Sequence, residues 1–239
     1  MSSEAVSAYR QDQVFYLRLA IGITIFTVFA FAQWALRGYA DYAAAPVAVH
    51  IHAIAMLCWL GLFTTQNYLA GKGSLELHRK LGWLGVALAI FVAVMGTYVT
   101  TEAVALHRVP PIFTAPYFLV MGPIHTYFFL GTLAVAIVMR RNTEWHRRFM
   151  LVATVLILEP AFGRIVPLPV LASPFGPWVE LALQTGVLAI AMVHDRQVRG
   201  SVHPAYWWGV GILTACVATI VVLSTAHAVI AMAASYTGG

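Results

Sequence analysis

The chain has 239 residues, 61% of them hydrophobic and 10% charged, with a net charge of +5 and a mean hydropathy of +0.81. Soluble domains run nearer half apolar and a quarter charged, so lipid must face much of this chain. A water-soluble domain, a disordered chain, a coiled coil and a disulfide-framed secreted domain are all excluded.

The N-terminus is polar up to Val14. The apolar run that follows, Phe15 to Trp34, is too long for a signal-peptide h-region and reads as a membrane anchor. Seven runs of spanning length succeed one another: Phe15–Arg37, Pro46–Ala70, Ser74–Thr101, Pro116–Arg140, Asn142–Arg164, Gly176–Asp195 and Pro204–Met232. Their connections are short. The expected fold is therefore all-α and polytopic, a single integral membrane domain over 1–239 with seven transmembrane helices. Cys58 and Cys216 lie inside these runs without zinc-finger or C-x-x-C spacing, and read as reduced, buried, small apolar residues.

The fourteen Lys and Arg residues set the orientation. With the N-terminus inside, eleven fall on the cytoplasmic side: Arg10, Arg18, Lys72, Arg79, Lys80, Arg140, Arg141, Arg147, Arg148, Arg196 and Arg199. Only three, Arg37, Arg108 and Arg164, fall outside, which predicts a cytoplasmic N-terminus and an external C-terminus. The basic pI is thus a topology signal, and no nucleic-acid partner is implied. Trp34, Trp83, Trp145, Trp178, Trp207 and Trp208 lie near span ends, where an aromatic belt contacts membrane lipids.

The third and fifth spans open on matching words. Ser74, Glu76, His78, Arg79 and Lys80 correspond to Asn142, Glu144, His146, Arg147 and Arg148. A capped helix start with a favourable Glu and topogenic cations explains most of the match. Neither capping nor charge bias asks for His. If spans two to five form a four-helix bundle, His78 and His146 enter it at one depth, as a bis-His haem b requires, with Arg79 and Arg147 free for the propionates.

A second polar group lies toward the outer side. At about 1.5 Å per residue, His52, His227 and Arg164 fall about 33 Å from the cytoplasmic helix ends, and His125, Glu159 and Glu180 about 22–25 Å. Three explanations stand. His52 and His125 form a second haem pair; His52, His125 and His227 with Glu159 and Glu180 hold Zn or Fe; or the groups form a hydrogen-bonded plug with Glu159 paired to Arg164. Only one of His50 and His52 can face a bundle, because a spacing of two reverses the helix face. His107 reads as a solvated loop residue, and His194 and His203 as interface residues. Pro160 removes a backbone hydrogen bond in mid-span and predicts a kink. No nucleophile elbow, zincin motif, P-loop, dinucleotide fingerprint or deep Schiff-base lysine is present.

His50 and His52, Trp59, Gln66, the run Leu77 to Gly82, His146, Arg147, Arg148 and Met150, then Arg199, Gly200, His203 and Pro204 resemble a bacterial family of multi-pass membrane proteins, a domain of unknown function. The resemblance spans the chain from the second helix onward and implies a fold and a bacterial inner (cytoplasmic) membrane location; His125 and Glu159 fall outside its pattern. In arrangement alone, histidines on spans two and four and on three and five are similar to the transmembrane di-haem b cytochromes.

The leading expectation is a haem b membrane protein in electron transfer, exchanging electrons with a quinol or a redox partner protein. His78 and His146 are its axial ligands, Arg79 and Arg147 its propionate partners, and His52 and His125 a further pair. One alternative is an outer-face Zn- or Fe-dependent enzyme on a lipid-like substrate, using His52, His125, His227, Glu159 and Glu180. The other is a carrier, receptor or assembly factor whose polar cluster binds ligand or relays protons.

Overall fold

The computed structural model describes residues 3–237, and side chains from residue 9 to 236. Its described elements are all helical. Six helices are long and apolar enough to cross a membrane: α1 (Ser3–Leu36), α2 (Val47–Gly71), α3 (Leu75–Ala105), α4 (Ala115–Val138), α8 (Gly176–Arg199) and α9 (Pro204–Ser224). Large apolar side chains such as Phe29, Leu84, Trp207 and Val222 are exposed on them, as lipid-facing helices require.

Helix ends follow local chemistry. Thr114 caps α4 by accepting from the Tyr117 N–H, with a proline in the first turn. The His203 ring caps α9, its Nδ1 accepting from the Ala205 N–H at 3.1 Å. Gly73 and Gly200 stop α2 and α8 at φ values of 77° and 76°, the left-handed conformation that glycine adopts without a Cβ clash.

The expected fifth span departs from a continuous helix. After a 3-10 turn over Met139–Arg141, α5 (Thr143–Leu156) has 14 residues, about 21 Å, against about 30 Å of hydrocarbon. It breaks at Ile157 and Leu158, and α6 (Glu159–Phe162) restarts for one turn. Pro160 is the cause: it has no N–H for the Leu156 carbonyl, and it is tolerated in the first turn of the helix that restarts there. A loop with one further turn, α7 (Leu168–Leu171), leads to α8. The expected last span also divides, because α9 ends at Ser224 and α10 (His227–Thr237) begins after two residues. There the Ser224 and Thr225 hydroxyls bond back to the Val221 and Val222 carbonyls, competing with the helix ladder.

The chain forms two compact units. The first holds residues 1–92 and 192–202, so it contains α1, α2, the start of α3 and the end of α8. Tyr16, Ala20 and Ile23 of α1 and Trp59, Leu60 and Phe63 of α2 are buried in it, and the Thr24 and Thr64 hydroxyls meet at 3.1 Å. Gly85 of α3 lies over Leu62, whose side chain would stand 3.1 Å from a Cβ there. Cys58 is exposed, a correction to its expected burial: an apolar run places a residue in the membrane without saying which side of the helix faces lipid.

The second unit holds residues 93–191 and 203–239. Phe129, Leu133 and Ala136 of α4, Leu151 to Leu156 of α5, and Tyr206, Leu213 and Cys216 of α9 form its buried centre. Two glycines let helices close up. A Cβ on Gly122 would stand 2.1 Å from Thr100 Oγ1, and one on Gly209 would stand 2.6 Å from Val152.

Candidate functional site

The repeated word has one local geometry in both copies. In the first unit, the His78 Nδ1 lies 3.3 Å from the Gln66 carbonyl of the preceding helix, and the Gln66 amide donates to the His78 carbonyl at 3.0 Å. In the second unit, the His146 Nδ1 lies 2.8 Å from the Ala136 carbonyl, again on the preceding helix. A ring nitrogen at a carbonyl is the N–H, and in the neutral ring this fixes the tautomer with the lone pair on Nε2. Each copy also carries an i,i+4 ion pair, Glu76–Lys80 at 2.7 Å and Glu144–Arg148 at 2.6 Å. The first pair is in solvent at 83% and 72% exposure, whereas the Arg148 side chain is fully buried, under the Tyr206 ring. Arg79 is exposed. Arg147, expected to be free, is paired with Glu144.

The histidines of the second expected group are set differently. His52, in the first unit, has a buried Nδ1 without a hydrogen-bond partner among the described residues. His125, in the second, bonds the Met121 carbonyl of its own helix at 3.1 Å. His227 opens α10 and is exposed, as are His50 and His107. Among the described residues no three His, Cys, Asp or Glu side chains gather as metal ligands.

What the fold does bring together is the two deep carboxyl groups, in the second unit at the α5 break. Glu159 of α6 and Glu180 of α8 are 5% and 3% exposed, and their carboxyl groups lie within hydrogen-bonding reach of each other. Glu180 Oε1 is buried without a partner, over Gly163, where a Cβ would stand 2.8 Å from it. Tyr117 of α4 and Cys216 of α9 are within electrostatic range of the pair. The expected Glu159–Arg164 pairing is not what forms. Arg164 Nη1 donates to the Pro160 carbonyl at 2.5 Å, because the one-turn helix points Glu159 inward toward α8.

One turn along α8, Gln184 completes the break. Its buried amide donates to the Val155 and Leu156 carbonyls at 3.1 and 3.3 Å. Leu156 is the residue whose carbonyl Pro160 leaves without a helical N–H. Sequence reasoning passed over Gln184, though its i,i+4 spacing from Glu180 in an apolar helix was the available signal.

It also passed over Asp12. Fully buried in the first unit, this carboxylate lies 3.0 Å from His194 Nε2 and is paired with Arg199. Phe15 stacks on the His194 ring at 3.9 Å. His194 and His203 are therefore structural, one clasping α1 to α8 and the other capping α9.

No family model, curated protein or solved structure matches the chain. The functional reading rests on its own residues.

Proposed function

We propose that this is a multi-pass haem b protein of the bacterial inner membrane, working in electron transfer with a quinol or a redox partner protein. In this reading the N-terminus is cytoplasmic, by the basic-residue count, and the broken α5–α6 segment makes the seventh crossing. The observation that carries it is the repeated setting of His78 and His146, each with Nδ1 held by a carbonyl of the preceding helix. Haem-ligating histidines need this outer-shell hydrogen bond, which orients the ring and directs Nε2 to iron.

The residues fit the group in a second respect. The unpartnered, buried Nδ1 of His52 is a polar atom whose burial is costly without a ligand or partner. The axial ligands are drawn from His78, His146, His52 and His125, and bound haem b supplies one-electron chemistry. Arg79, exposed beside His78, is the cation available to a propionate. Arg147, engaged by Glu144, orients the start of α5.

Absorption spectra of the detergent-purified chain, air-oxidised and then dithionite-reduced, test this reading. A Soret band that shifts on reduction is expected, and its intensity per chain counts the haems. His78→Ala and His146→Ala should each lower haem content. A flat visible spectrum after expression with haem supplied, or unchanged haem in both variants, overturns the proposal.

A further inference from the structure

The Glu159–Glu180 contact raises a question of charge that packing leaves unanswered. Both side chains are almost fully buried, and neither takes part in an ion pair among the described residues. Among the described residues, Tyr117 of α4 lies within electrostatic range of both carboxyl groups and Cys216 of α9 within range of Glu159, and neither is a cation. The nearby guanidinium of Arg164 is turned to the Pro160 carbonyl. Two ionised carboxylates are acceptors only, so they cannot bond to each other and would repel at close range in a low dielectric. A single proton removes the conflict: one carboxyl group becomes a donor and the other remains its acceptor.

The backbone around the pair is built for this contact. Pro160 ends α5, and α6 turns Glu159 toward α8. Gln184 satisfies the carbonyls exposed by the break, which leaves the carboxyl groups free of that duty. Gly163 leaves room for Glu180 Oε1, an oxygen that any side chain at 163 would displace. That oxygen is buried without a partner, so the pair retains an open acceptor for a further donor such as a water or hydronium.

We propose that Glu159 and Glu180 form a proton-binding site in the second unit, holding one exchangeable proton between two carboxyl groups. Ionisable residues inside a membrane domain are costly and mark proton or ion pathways. A pair that holds one proton carries a single negative charge and releases or takes up the proton without rebuilding its surroundings. Proton binding by the pair does not depend on haem, and its readout is separate from any visible spectrum.

Infrared spectroscopy of the full chain in lipid nanodiscs at neutral pH tests it, in light and heavy water. The wild type should show the carbonyl stretch of one protonated carboxyl group, shifted by deuterium exchange. The Glu159→Gln/Glu180→Gln double variant should lose that band entirely. Glutamine is isosteric with the acid, and unchanged helical circular dichroism will report folding; Glu180→Gln alone serves if the double variant does not fold, and should remove the shared-proton band. A wild type with no acid band means both groups are ionised, as with a bound metal cation, and overturns the proposal. A band of undiminished intensity in the folded variant does the same.

Discussion

Gln184→Leu isolates the device that makes the α5 break tolerable. The substitution conserves size and removes a buried amide that donates to Val155 and Leu156. Val155 keeps a second donor, the Leu158 N–H at 3.1 Å, so its loss is small. Leu156 keeps none of the helical kind, because residue 160 is proline. An orphaned buried carbonyl costs about 1–3 kcal/mol, roughly a 5- to 150-fold shift in the unfolding equilibrium. Interhelical side-chain bonds in membrane proteins average only about 0.6 kcal/mol, because in the chain unfolded within the membrane those side chains also find partners. A backbone carbonyl cannot leave, which decides for the larger figure. Stability is measured by SDS titration in mixed micelles, with tryptophan fluorescence as the signal. Pro160→Ala provides the control, since an N–H at 160 can mend the helix and supply Leu156. In that background the cost of Gln184→Leu should fall by about 1 kcal/mol or more. A cost within about 0.5 kcal/mol of zero in the wild type, or an equal cost in both backgrounds, refutes the account.

Two other substitutions probe the units separately. Gly209→Ala places a Cβ 2.6 Å from the fully buried Val152, and the overpacking should cost about 1–3 kcal/mol in the same titration, with Val152→Ala restoring part of it. If Gly209→Ala is neutral, the helices are not in the close contact described. In the first unit, Asp12→Ala strips Arg199 and His194 of their shared carboxylate. Because Arg199 retains 28% exposure, the loss should fall near or below the low end of the roughly 3–5 kcal/mol for breaking a buried pair. His194→Ala should cost less than Asp12→Ala, since Asp12 then keeps Arg199; the reverse order would show that the Phe15 stack, and not the charge, holds α1.

Which parts of this were legible in the sequence follows from what each signal measures. Hydropathy counts apolar residues, so it located the six long helices, whose backbone is satisfied internally. It is blind to the ladder itself, and ran through Ile157 and Leu158 as if Pro160 had an N–H to offer. Proline chemistry predicts a kink at Pro160, whereas the break lies before the proline, next to the unpaired carbonyl. Helix rotation was illegible for a related reason: a helix apolar on all sides has no preferred face in its sequence. The exposure of Cys58 and the meeting of Glu159 with Glu180 depend on that rotation. Asp12 was hidden by its neighbours, because a polar stretch before an anchor reads as solvated whether or not α8 comes back to cover it. The repeat was legible at once, and its shared ring geometry at His78 and His146 is what local sequence identity predicts.

The two copies of the repeat then diverge in a way that connects packing to chemistry. Glu76 and Lys80 lie in solvent, where an ion pair contributes little, and the helix they start runs unbroken for 31 residues. Glu144 anchors Arg148 in the interior, and from Leu151 to Glu159 no side chain of α5 or its continuation reaches the surface. Non-helical backbone at membrane depth survives only where protein encloses it. The burial of α5 is therefore the condition for its break, since Gln184 can reach the freed carbonyls only from a helix packed directly against them. The break in turn directs Glu159 at Glu180. Had the second copy kept the exposed setting of the first, the carbonyl freed by Pro160 would have lost its buried donor, and the carboxyl pair would have had no enclosed place to form.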